Sequence, residues 1–93
     1  MIAQDMRPRL APKVRLRHDA QSGRYLLLYP EKGMQLNGTA ADIVQLCTGE
    51  RTVGEIIREL CEKYTSRPSE TIAAEVTQFL EALQMRLLIR FEP

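Results

Sequence analysis

Pro30 is the residue that most restricts how this chain folds. It ends the apolar run "RYLLLY", and a proline has no N–H to give to a β-ladder, so the strand stops there. "EKG" then turns the chain, and Met34, Gln35 and Leu36 make a third strand too short to stand alone. Upstream, "VRLRHD" alternates, with Val14, Leu16 and His18 on one side and Arg15 and Arg17 on the other, the pattern of a half-buried strand. The turn residues "AQSG" join it to the second strand as a hairpin. In that second strand Tyr25, Leu27 and Tyr29 share one face and Leu26 and Leu28 the other, so both faces are apolar.

Three helices follow. Asn37 or Thr39 caps the first, which carries Ala40, Ile43, Val44, Leu46 and Cys47 and ends at Gly49. Thr52 and Glu55 stand at capping-box spacing before a second helix whose stripe is Val53, Ile56, Ile57, Leu60, Cys61 and Tyr64. "SRPSE" breaks the chain, Ser69 is the expected cap of the third helix, and its buried stripe is Ile72, Val76, Phe79, Leu80 and Leu83. "LLIRF" reads as a closing extended piece. Residues 1–13 contain Pro8 and Pro12 and no periodic pattern, so a flexible or extended arm is expected there. Residues 14–93 then form a single α+β domain, a three-stranded antiparallel sheet followed by three helices in the order β-β-β-α-α-α.

Ninety-three residues support one core, and 44% hydrophobic with 27% charged residues is the composition of a soluble globular chain. No apolar run approaches the ~18 residues of a membrane span, and the first residues lack the apolar region of a secretory signal, so the cytoplasm is the expected compartment. Cys47 and Cys61 fall on apolar helical faces and read as buried thiols. His18 is the sole histidine, which argues against a transition-metal site. No nucleophile elbow, zinc-protease, phosphate-loop or dinucleotide motif occurs, and Glu59 and Glu62 belong to a solvated helical face. Neither a catalytic residue nor a cofactor is expected.

Charge is unevenly spread. Residues 1–24 carry six basic side chains against two acidic ones, and the remainder carries seven against ten. A DNA-reading helix would need a basic face, but the third helix holds Glu70, Glu75 and Glu81, with only Arg86 at its far end. Nucleic acid is therefore not expected as a partner. The basic N-terminal quarter instead suits an acidic protein partner.

The remaining candidate is the sheet edge. A short third strand between a turn and a helix presents unpaired backbone groups, to which an extended peptide adds as a further strand. Glu75, Gln78, Ala82 and Met85 run beside the buried stripe of the third helix and would form a shallow groove wall next to it. The same open edge and the two apolar faces of "YLLLY" equally suit a self-associating module, a homodimer formed by strand pairing or exchange.

"RPRLAPKVRLRHD" (residues 7–19), "GRYLLLYPEKGMQLNGTAADIVQLCTGERTVGEI" (residues 23–56) and "FLEALQMRLL" (residues 79–88) together resemble the PqqD family, the D proteins of pyrroloquinoline quinone (PQQ) biosynthesis. The resemblance implies a winged-helix-like peptide-recognition domain and a peptide chaperone, not an enzyme. Such proteins hold the precursor peptide PqqA as an added strand and present it to PqqE, a radical S-adenosylmethionine enzyme that joins a Glu and a Tyr of the peptide. Iron–sulfur clusters and S-adenosylmethionine belong to that partner. Carried over by position, the docking strand falls on Met34, Gln35, Leu36 and Asn37, and the groove on the third helix with Glu75, Gln78, Ala82 and Met85. Arg7, Arg9, Arg15 and Arg17 are the expected surface for the enzyme, and either a monomer or a homodimer is compatible. The family usually has Gly where Leu87 stands, and a Gly there permits a left-handed helix end.

Overall fold

The computed structural model describes residues 2–30 and 32–92. Glu31, in the expected "EKG" turn, lies outside them, as do the two terminal residues. The elements run β1 (Arg7–Leu10), β2 (Arg15–Asp19), β3 (Arg24–Tyr29), β4 (Lys32–Leu36), α1 (Gly38–Leu46), α2 (Val53–Lys63), α3 (Ser69–Met85) and β5 (Ile89–Glu92). The α+β class and the three helices agree with expectation. The sheet does not: five strands form two sheets, an antiparallel β1–β5 pair and an antiparallel three-stranded sheet in the order β2-β3-β4.

The strand that makes the second sheet with β5 comes from within residues 1–13. Arg7–Leu10 has the period-2 pattern of a strand, with Pro8 buried and Leu10 half-buried while Arg7 and Arg9 face water. Pro8 hid this pattern, since a proline normally interrupts a ladder. In a two-stranded ribbon each strand has an unpaired side, and a residue with no N–H is tolerated there. The same segment is stitched to the helices. Val53 N–H donates to the Met6 carbonyl (2.8 Å) and Gly54 N–H to that of Gln4 (3.0 Å), which satisfies two of the four orphan donors of the α2 N-terminus. Gly49 N–H donates to the Pro8 carbonyl (2.9 Å) and Ala11 N–H to that of Leu88 (2.9 Å).

The central sheet follows its alternation. Leu27, wholly buried, has Leu16 and Met34 as its cross-strand neighbours, and Leu36 pairs beside Tyr25 on the same inner face. That face packs on α1, and the core continues through Ile43 and Val44, Val53, Ile56 and Leu60 of α2, and Ile72, Val76, Leu80 and Leu83 of α3. Each fully buried aliphatic side chain contributes about 1.5–3 kcal/mol. Leu26 and Leu28 point to the opposite face, half-buried, beside Arg17 and Gln35 and beside Arg15 and Gly33 respectively.

Local signals set the helix starts with one exception. Asn37 Oδ1 accepts from Ala40 N–H at 2.8 Å and caps α1, and Thr52 with Glu55 closes a capping box on α2. Ser69 is not the cap of α3 but its first residue; Pro68 holds the cap position with no side-chain bond, and its carbonyl accepts from Thr71 and Ile72. α1 ends at Leu46 with Cys47 as its cap, earlier than Gly49, which adopts φ +84° against Arg9 and Glu92.

The end of α3 carries a backbone exception. Leu87 has φ +60°, the conformation usual for glycine, and Leu88 N–H reaches back to the Leu83 carbonyl (2.9 Å) while Leu87 N–H reaches that of Gln84 (3.0 Å). These two bonds complete a Schellman motif with leucine at its left-handed position. Among the described residues no helix is long and apolar enough to cross a membrane.

Candidate functional site

β4 pairs with β3 along one side only, so the other side of the strand is an open edge of the three-stranded sheet. β3 ends at Tyr29, just before Pro30, and at the far end of β4 Asn37 sends the chain into α1. Side chains alternate along this edge. Met34 and Leu36 face inward, Met34 half-buried and Leu36 only 7% exposed, whereas Gln35 faces out and accepts from Arg24 Nη1 at 3.0 Å. Leu36 is therefore a core residue, and what β4 offers outward at that position is backbone.

At Asn37 the edge opens into two clefts. One, of about 310 Å³, is lined by Asn37, Thr39, Ala40 and Ile43 from the start of α1 and by Glu75, Gln78 and Phe79 of α3. The other, of about 460 Å³, lies along the end of the β3–β4 ladder and is lined by Gly23, Arg24, Tyr25, Gln35, Leu36, Asn37 and Gly38. The first cleft joins residues that are far apart in sequence. Of the expected docking-strand residues it collects Asn37, and of the expected groove residues Glu75 and Gln78. Ala82 and Met85 do not line it: both are exposed further along α3, Met85 at 85%. Thr39, Ala40, Ile43 and Phe79 also line it, although the sequence marks them only as a cap candidate and as apolar helix residues. Phe79 had a signal, since it is the aromatic flank of the α3 stripe and ends up half-buried, facing the cleft, where Leu80 is fully buried.

A polar network holds the walls together. Arg67, in the α2–α3 connection, pairs with Glu75 Oε1 at 2.6 Å and reaches Thr39 Oγ1 at 3.4 Å, linking α3 to α1. Its guanidinium lies 6.0 Å from the Tyr64 ring centre. Tyr64 donates its hydroxyl proton to Asp42 of α1, and Lys63 Nζ sits 2.9 Å from the other Asp42 oxygen. The hydrogen bond to Asp42 favours the protonated phenol and raises the Tyr64 pKa, and the bond and charge of Asp42 raise that of Lys63.

The four arginines expected to face a partner do not share one sheet. Arg7 and Arg9 lie on β1, Arg9 within 3.7 Å of Glu92, while Arg15 and Arg17 lie on the outer face of β2 beside Leu28 and Leu26. Groups with chemical potential lie elsewhere in the fold. The Cys47 thiol is buried and its pKa is pushed up to about 12 by burial, and His18 packs at 4.8 Å on the Tyr25 ring. Among the described residues no three His, Cys, Asp or Glu side chains are grouped to hold a metal ion.

Comparison with known proteins agrees with this architecture. A family model described as "Coenzyme PQQ synthesis protein D (PqqD)" matches residues 24–89. A "PqqA binding protein" of Rhizobium meliloti (strain 1021) is 37% identical over 81 residues, 87% of this chain and 82% of the relative. The solution structure of the PqqD part of Methylobacterium extorquens PqqCD, described as a functional, stand-alone recognition element for ribosomally synthesised, modified peptides, superposes with a TM-score of 0.80. It is 28% identical, with 97% of this chain and 95% of that one covered. TbiB1, solved in complex with the TbiA(beta) leader peptide, shares the fold at a TM-score of 0.74 and 21% identity over 88% of this chain and 94% of that one. This chain belongs to the PqqD family of coenzyme PQQ synthesis proteins.

Proposed function

We propose that this chain is a non-catalytic peptide chaperone that binds the precursor peptide PqqA as an added strand on β4 and presents it to the radical S-adenosylmethionine enzyme PqqE. The observation that carries the reading is the open edge of β4 running at Asn37 into a cleft walled by Glu75 and Gln78 of α3. Main-chain hydrogen bonds along residues 34–37 supply affinity, each contributing about 0.5–1.5 kcal/mol, and the cleft supplies side-chain selection. The names of the relatives support the peptide: one is a PqqA binding protein and another a peptide-recognition element. Ala82 and Met85 extend the α3 wall beyond the cleft and take the end of the guest. The cytoplasm remains the expected compartment.

Arg15 and Arg17, with Leu26 and Leu28 between β2 and β3, form an outer sheet face that a guest on β4 leaves uncovered, and we assign it, with Arg7 and Arg9 on β1, to PqqE. Holding peptide and enzyme together raises the effective concentration of the reacting residues at the enzyme's active site. Titration of 15N-labelled protein with PqqA tests the first step: amides of residues 34–37 and of α3 around residue 78 should shift. Shifts confined to β1 and β2 would sink strand addition. β2 is a second open edge of the same sheet, which favours a homodimer as the alternative reading. Sedimentation over a range of concentrations, with and without PqqA, separates the two, since a tight dimer indifferent to the peptide supports the alternative.

A further inference from the structure

A third crevice, of about 480 Å³, lies where the connection between β1 and β2, the end of β3 and the turn from α3 into β5 meet. It shares no residue with the two clefts at Asn37 and sits at the Pro30 end of the central sheet, away from them. Val14, Tyr29, Pro30 and Leu87 give it apolar walls, and Lys13, Arg86 and Arg90 bring three cations. The described lining includes no carboxylate, and among the described residues none of the three cations has an ion-pair partner. Arg90 also stands directly across the β1–β5 ladder from Arg9, a like-charge pair that repels. Leu87 is the second signal. Glycine would serve its left-handed position, yet a leucine stands there, 82% exposed, and extends the apolar wall of the crevice. Costly backbone conformations that persist are concentrated at functional and ligand-binding sites.

Walls and rim together select the occupant. A neutral apolar segment fills the walls but takes three cations out of water with no counter-charge. A nucleic-acid backbone brings the charge without an aliphatic group for the walls. A bilayer surface is flat and leaves a concave crevice unfilled. An apolar side chain flanked by carboxylates satisfies both, since it packs on the walls and matches the charge of the rim. We infer that this crevice is a docking site for an acidic segment of a partner protein, which seats an aliphatic side chain against Leu87 and Tyr29 and its flanking carboxylates on Lys13, Arg86 and Arg90. The inference goes beyond the peptide-binding reading and does not depend on it, because the crevice contains no residue of β4.

The probe is the peptide acetyl-Glu-Glu-Leu-Glu-Glu-amide, titrated into the 15N-labelled full chain at low ionic strength, where screening is least. Amides of residues 11, 13, 14, 29 and 86–90 should shift, while those of residues 34–37 and 75–79 stay in place. Replacing the peptide's leucine by glycine should weaken binding about tenfold, through the lost apolar contact. Replacing its four glutamates by glutamines should weaken it about tenfold as well, through the lost ion pairs. Arg86→Glu combined with Arg90→Glu should abolish the shifts. Leu87→Asn, which also accepts a left-handed backbone, should weaken binding several-fold with the dispersed amide spectrum of the fold intact. Equal shifts from all three peptides, no shift at the crevice up to the solubility limit, or shifts that survive the double charge reversal would overturn the inference. Phosphatidylglycerol vesicles or a DNA duplex that perturb these amides more strongly than the peptide would overturn it in favour of a membrane or a nucleic acid. PqqA that shifts residues 86–90 and displaces the probe would give the crevice to the guest instead of a partner protein.

Discussion

Replacing Leu87 with glycine should stabilise this protein. Leu87 sits at φ +60° at the end of α3 and is 82% exposed, so it bears the cost of a left-handed backbone while burying little. Removing its Cβ relieves roughly 1–2 kcal/mol of steric cost. Against this, glycine adds freedom to the unfolded chain at about 0.4–1 kcal/mol, and the small buried fraction of the leucine forfeits about 0.4 kcal/mol. The balance is a gain of about 0.5 kcal/mol, or roughly 2–4 °C in Tm for a domain of this size. The two Schellman bonds, from Leu88 N–H to the Leu83 carbonyl and from residue 87 N–H to the Gln84 carbonyl, are backbone bonds and survive the change. Leu87→Val gives the opposite sign, because a β-branched residue tolerates positive φ worst, and should lose about 1 kcal/mol. Urea denaturation followed by circular dichroism, with an unchanged m-value, reads both variants. A glycine variant less stable than the original, together with a neutral valine variant, would refute a left-handed Leu87.

Asn37→Ala removes the cap bond to Ala40 N–H and should cost about 1 kcal/mol of stability in urea, while Asn37→Asp, which keeps the acceptor, costs little. Because Asn37 lines both clefts, the alanine variant should also weaken PqqA binding in the titration. The raised pKa values of Tyr64 and Lys63 contribute stability that is fully present below their ordinary values of 10.0 and 10.5 and is lost as pH rises through the higher folded values. Melting temperature should accordingly hold to about pH 10 and fall above it, with a shallower fall in Asp42→Asn; an equal fall in both would discount the network. Cys47, buried and with a thiol pushed up to about 12, should resist iodoacetamide in the folded protein, whereas half-buried Cys61 reacts first. Peptide mapping by mass spectrometry reads the order, and equal rates would contradict the burial of Cys47.

Several features of the site were legible because their causes are local. Pro30 ends a strand through its own missing N–H, Asn37 caps α1 within three residues, and Thr52 and Glu55 recognise each other across one helical turn. The period-2 alternation of a strand puts Met34 and Leu36 opposite Gln35. The edge of β4, and hence the strand part of the candidate site, follows from those signals. Arg7–Leu10 was illegible for the converse reason. Its partner is β5, at the other end of the chain, and Pro8 masked an alternation that makes sense only beside Phe91.

The sequence by itself determined the α+β class, the order of the central strands and helices, most helix starts and the exposed edge, since each rests on steric and hydrogen-bonding preferences within a few residues. The tertiary structure decided the second sheet, the left-handed leucine at the end of α3 and the cleft between α1 and α3. The Schellman turn holds Leu87 in place because Leu88 must return to the core beside Leu83. The cleft exists because packing α1 against α3 brings Thr39 and Ile43 next to Glu75 and Phe79. No spacing along a chain encodes that juxtaposition; it comes from how two helices share one core.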